Sequence, residues 1–197
     1  MILRVFISII ILIFSFQSLT KADDIKDFQI EGISIADTLL KYATNQQIDI
    51  AETNSSIMRD KNSNDRFIII FLNTMNLNEY EDLQITYKSN DKNFIIHAID
   101  GGINFPNNFE HCKNKQTKIV SDLKNMFKNV PLRSFQGKHN ADDSRGSIHN
   151  SNIFTLSNGT IHIWCTLWSD KVNYNDGLNV TLRSKEYNDF LLNENDY

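Results

Sequence analysis

The chain has 197 residues, with 20 Lys+Arg against 24 Asp+Glu, a formal charge of −4 and two cysteines. Residues 1–22 hold Arg4 and Lys21 and no acid, so the remainder carries 18 basic against 24 acidic residues, a formal −6. An acidic surface with no basic stripe repels phosphate backbones, which argues against nucleic acid and against an anionic membrane surface as partners.

The N-terminus reads as a secretory signal. Arg4 precedes an apolar run over residues 5–16, too short for a hydrocarbon core that takes about 20 residues but suited to the apolar centre of a signal peptide. Thr20 and Ala22 are small enough to place cleavage after Ala22, leaving 23–197 as one α+β domain in the periplasm or secreted. An uncleaved anchor is the alternative; otherwise the chain meets a membrane only through this segment. No cysteine follows the run, which argues against a lipid-anchored protein.

The expected elements follow in order. After Gly32, Ser34 with Asp37 matches a capping box, and Ile35, Leu39, Leu40, Tyr42 and Ala43 form a short helical stripe. Residues 52–66 read as a polar loop. The run 67–72 suits a buried strand; Leu83, Ile85 and Tyr87 alternate with polar residues and lead through a turn at 89–93 into 94–99, a hairpin. Asp100-Gly101-Gly102 reads as a turn or bulge. The longest helix is expected over about 109–129, with Phe109, Cys112, Ile119, Val120, Leu123, Met126 and Phe127 on its apolar stripe and Pro131 beyond its end. Residues 136–152 read as a second polar loop. Strands over 153–156 and 161–168 flank an Asn158-Gly159 hairpin turn; a turn at 175–177 leads to a strand over 178–182, and 184–192 closes the chain as a helix. The sequence has no internal repeat. This order predicts an α+β domain, an antiparallel sheet with the long helix on one face and short N- and C-terminal helices.

Cys112 falls on the helix stripe and Cys165 on a strand face with Ile161, Ile163 and Leu167. Stripe and face should meet, so a helix-to-sheet disulfide is expected, in keeping with an oxidising compartment. A reactive thiol beside His111 is the rival. Adjacent helical residues point about 100° apart and cannot face each other, and no CxxC pair is present.

No motif of catalysis is visible: no nucleophile elbow, phosphate-cradling loop or zinc helix. The nearest approach to a metal set is His139, Asp142, Asp143 and His149, whose spacing fits no known site, so no metal and no cofactor are expected. The most informative pattern lies on the strand over 161–168, where His162, Trp164, Thr166 and Trp168 point away from the core face and Thr181 and Arg183 are offered by a neighbouring strand. Two readings stay open. Helices or loops cover this face as a second small core, or His162, Trp164, Trp168 and Arg183 form a binding face, since indoles combine apolar area with one donor.

Several blocks resemble a family of small exported proteins from marine alphaproteobacteria of the SAR11 (Pelagibacter) type. They are the octapeptide over 30–37 before a Leu-Leu-x-Tyr segment, residues 80–92 leading into Phe94-Ile95-Ile96, Cys112, Cys165 before Trp168, and residues 183–190. The similarity spans most of 24–191, with Ile33 and Ala36 where the family has Met and Gly. It implies export and pairing of the cysteines; the family has no assigned activity, so the resemblance points to no catalysis in particular. The expectation is thus a non-enzymatic periplasmic domain binding a protein or small ligand, with an exported hydrolase assembled only in three dimensions as the alternative.

Overall fold

The computed structural model describes residues 24–53, 56–59, 66–72 and 75–195. The expected signal segment 1–22 lies outside the described residues, as does much of 52–66.

Two short strands open the domain, β1 (Gln29–Ile30) and β2 (Ile33–Ser34), after a 3-10 turn over Ile25–Asp27. Glu31 and Gly32 join them with φ of 52° and 79°, the left-handed pair that matches the twist of a two-residue hairpin. The helix expected from Ser34 does not form. Asp37 does accept from the Ser34 amide (3.3 Å), but Ala36 turns left-handed (φ 66°) and its amide bonds Ile96, while the Ile96 amide bonds Asp37. Pairing with a neighbouring strand thus displaces the coil, leaving one 3-10 turn over Leu39–Lys41. The first α-helix, α1 (Asn45–Glu52), follows, opened by a capping box between Thr44 and Gln47.

Among the described residues the main sheet has eight strands. In chain order they are β3 (Ser56–Arg59), β4 (Arg66–Phe71), β5 (Asp82–Lys88), β6 (Ile96–Asn104), β7 (Leu132–Lys138), β8 (Ile148–Leu156), β9 (Gly159–Leu167) and β10 (Gly177–Ser184). Their spatial order is β3-β4-β5-β6-β10-β9-β8-β7, and every pairing is antiparallel. The topology is two four-stranded meanders, the first preceded by α1 and the second by α2 (Phe109–Met126), with their last strands β6 and β10 side by side. A repeat absent from the sequence is present in the topology. Helix α3 (Lys185–Asn195) closes the chain.

Three expectations need correction. Residues 56–59 are strand, and the expected loop over 136–152 shrinks to 139–147, because its two ends belong to β7 and β8, which form a hairpin. Asp100-Gly101-Gly102 is no turn but the middle of β6. Its glycines leave room for neighbours, since a Cβ on Gly101 would meet the Tyr80 ring at 2.5 Å and one on Gly102 the Asp82 carboxylate at 2.6 Å. Gly159 also serves close approach rather than the turn, a Cβ there lying 2.3 Å from the Arg183 carbonyl oxygen.

One face of the sheet carries the main core. Ile68 and Ile70, Leu83, Ile85 and Tyr87, Ile161 and Ile163, and Leu178, Val180 and Leu182 pack against α1, α2 and the N-terminal segment. Each such side chain contributes about 2 kcal/mol when fully buried. Helix α2 meets the sheet through Cys112, Gln116, Val120 and Leu123, with Phe127 capping it; Met126, expected on the stripe, is exposed. Cys112 and Cys165 are disulfide-bonded with Cα atoms 6.0 Å apart, as the stripe-to-face argument anticipated. One turn on, the buried Gln116 amide donates to the carbonyls of Asn150 (2.9 Å) and Ile163 (3.0 Å), so the helix is stitched to β8 and β9 by a covalent and a polar link.

The opposite face is covered only in part. There α3 lays Tyr187 and Phe190 on Phe67, ring centroids 4.9 and 4.8 Å away, with Ala98 completing a small second core. A bulge in β6 places His97 beside Ala98 on this side, where the imidazole packs edge-on to Phe67 and lies 3.5 Å from the Glu186 carboxylate. No helix among the described residues is long and apolar enough to cross a membrane.

Candidate functional site

Because directly opposed residues of antiparallel strands share a face, register alone defines what the second face presents. Opposite Asp100 stands Thr181, then His162, Ile153 and Arg133; the next row runs Gly102, Asn179, Trp164, Ser151 and Phe135; the next Asn104, Gly177, Thr166, His149 and Gly137. One strand-face of aromatics and imidazoles thus adjoins a strand-face of amides, hydroxyls and a carboxylate.

The rings are in continuous contact. His162 and Trp164 lie 4.3 Å apart, and His149 stands 6.4 Å from both. His139 continues the run, 5.1 Å from His149 and 4.4 Å from Trp168, and Tyr174 covers Trp168 at 4.8 Å. Trp164 and Trp168 are each half-buried and Tyr174 is exposed, so α3 does not close this part of the face. Of the residues expected here, His162, Trp164, Trp168 and Arg183 share the face. Trp168 reaches the rest through His139 and His149, and Arg183 adjoins His162 from β10.

Hydrogen bonds fix the imidazoles. His162 Nε2 lies 2.6 Å from Ser151 Oγ, and His149 Nδ1 lies 3.1 Å from Thr166 Oγ1. Burial, and then the Arg183 charge, lower the His162 pKa to about 3; burial, then His139, lowers that of His149 to about 4. Both rings are therefore neutral at pH 7, and the run is an uncharged aromatic surface. Asp100 behaves in the opposite sense: burial holds its carboxyl above the usual range, partly offset by Arg183 and by the hydrogen bond from Thr181.

The supposed metal set resolves differently. Asp142 is buried and accepts from the Ser144 and Ser147 amides (both 2.9 Å) and from the hydroxyls of Ser147 (2.7 Å) and Ser169 (2.8 Å), so its carboxylate is spent on holding the β7–β8 loop. Among the described residues no cluster of three or more metal-ligating side chains is present.

Two concavities flank the ring run. At the α3 end lies a pocket of about 510 Å³ lined by Arg133, Ile153, His162, Arg183 and the inner side of α3. At the other end a smaller one of about 220 Å³ is lined by Asp82, Asn104, Trp168, Tyr174 and Asn179. His139, His149, Ser151, Asp100 and Tyr174 were not anticipated on this face. The period-two spacing of His149, Ser151 and Ile153 was the available signal, but Asn150 and Asn152 interrupt the opposite, core-facing row of Ile148, Phe154 and Leu156 that would define it. No family model, no curated protein and no solved structure matches this chain.

Proposed function

We propose that this is an exported, non-enzymatic binding domain of the periplasm or cell exterior, taking a small ligand or a partner's side chain on the aromatic face of β8–β10. The observation that carries the reading is the half-open run of Trp164, His162, His149, His139, Trp168 and Tyr174, uncharged at neutral pH and bordered by amides and hydroxyls. Such a surface suits a flat apolar ring or the apolar face of a sugar, with polar groups at its edge fixing orientation. Both tryptophans of the chain lie in it, so intrinsic fluorescence reports directly. Titration with soluble glycans and aromatic compounds should shift the emission, and Trp164→Phe should remove most of the response. A folded protein whose emission answers to no member of such a panel refutes the reading.

The disulfide supports export, as does the resemblance to exported marine proteins. Intact mass of the protein recovered from the periplasm tests it: the chain should begin at Asp23 and weigh two hydrogens less until reduced. A hydrolase reading has one observation in its favour, the Ser151–His162 contact. Among the described residues no carboxylate bonds the other His162 nitrogen, and Ser151 is 5% exposed, so the pair lacks both an orienting acid and access. Labelling of Ser151 by a fluorophosphonate would revive it.

A further inference from the structure

The pocket beneath α3 has a chemistry distinct from the ring run. Of the run's residues only His162 lines it, and neither tryptophan does. Its floor and rim are apolar at Ile153, Leu191 and Leu192, the last left 65% exposed. Its polar side is cationic. Arg183 is half-buried on β10 and its Nε is buried with no hydrogen-bond partner, a donor withdrawn from water and unused. Arg133 enters from the edge strand β7, exposed and in no ion pair among the described residues. Lys185 is paired with Asp189 at 2.5 Å, so these two rim charges cancel. Asp100 offsets Arg183 from the far side but already accepts from Thr181. What remains is one to two positive charges with planar donor forks facing a hydrocarbon-lined space, of a size usual for small-ligand sites at about 300–1,000 Å³.

We propose that this pocket binds a medium-chain carboxylate, the acid group held by Arg183 and Arg133 and the hydrocarbon tail laid along Ile153, Leu191 and Leu192. The inference rests on reading this face of the sheet as a ligand-binding surface. A single carboxylate matches the bidentate geometry of a guanidinium and supplies the acceptor that Arg183 Nε lacks. With Lys185 paired to Asp189, the one to two positive charges that remain match a singly charged acid better than a doubly charged phosphate, which would need more cation than the pocket offers.

Isothermal titration of the disulfide-bonded protein with decanoate, decanol and acetate tests this. Decanoate should bind, while decanol, lacking the charge, and acetate, lacking the tail, should each bind about tenfold or more weakly. Arg133→Gln and Leu192→Glu alter exposed residues and should each weaken decanoate about tenfold with melting temperature unchanged. Arg183→Gln should abolish binding, and the two exposed variants decide the matter if it fails to fold. A second readout is the His162 imidazole by NMR, whose pKa should rise in the complex as the bound carboxylate offsets the Arg183 charge. No decanoate binding by folded protein, or binding that Arg133→Gln and Leu192→Glu leave unchanged, overturns the proposal. If tryptophan emission still answers to glycans or aromatics in that case, the pocket assignment alone falls; if it does not, the binding reading of the face falls with it.

Discussion

Replacing both cysteines, Cys112→Ala with Cys165→Ala, should lower stability by an amount that follows from the chain itself. The bridge spans a sequence separation of 53, and loop closure of that length removes about 4 kcal/mol of unfolded-state entropy at 25 °C in the chain-entropy model. Both residues are at most 1% exposed, so the lost sulfur contacts add to that figure. For a domain of this size each kcal/mol shifts the melting midpoint by about 2–4 °C, giving an expected fall of about 8–16 °C. Circular dichroism melts of the wild type and the double variant, both without reductant, provide the comparison. The burial adds a second expectation: under native conditions a mild reductant should open the bridge no faster than the domain itself opens. A double variant melting within about 2 °C of wild type would contradict that figure, and would mean that other contacts already constrain this loop in the unfolded chain.

Gln116→Leu should cost about 2 kcal/mol, since it leaves the carbonyls of Asn150 and Ile163 without their side-chain donor inside the core; urea midpoints measure it, and a neutral result would mean the amide is dispensable. The neutral histidines set a pH dependence. Their folded pKa values, about 3 for His162 and about 4 for His149, lie below the unfolded value near 6.5, so the unfolded chain binds more protons between them. Stability from each is complete above about pH 6.5 and declines as pH falls toward the folded value, by at most about 1.4 kcal/mol per pH unit. Asp100, whose carboxyl is held up, works in the opposite direction. The His162→Gln variant should therefore show a shallower loss of stability than wild type between pH 6 and pH 4 in urea titrations, and coincident slopes would contradict the burial assigned to that ring.

Strands with one aliphatic face were legible. Ile161, Ile163 and Cys165 alternate with His162, Trp164 and Thr166, and that alternation alone placed the tryptophans on the side away from the core. The α2 stripe was legible too, apart from Gln116, which the core tolerates because two strand carbonyls need a donor, and Met126, which lies beyond the sheet contact. Helix α1 escaped notice because only Ile48 of its eight residues is buried, and an amphipathic signal needs more than one position. Residues 34–43 misled for a different reason. The Ser34–Asp37 contact exists, but a left-handed Ala36 and pairing with Ile95 and Ile96 outcompete the coil, and such tertiary pairing leaves no local trace. The site was half visible: β9 supplied His162 and Trp164, while His139 lies in the polar loop just past β7, His149 lies on a strand whose polar residues hide its pattern, and Asp100 was hidden beside two glycines that make room for Tyr80 and Asp82.

We propose the face carrying Trp164 and Trp168 as the place where this domain meets its ligand. Chemical-shift mapping on isotope-labelled protein, with the glycan, aromatic and carboxylate panel added in turn, tests it most directly. Shifts should concentrate on β8, β9, β10 and the inner side of α3, led by the His149, His162, Trp164 and Trp168 ring signals. Shifts confined to the α1 and α2 side of the sheet, or to the β3 edge, would contradict it.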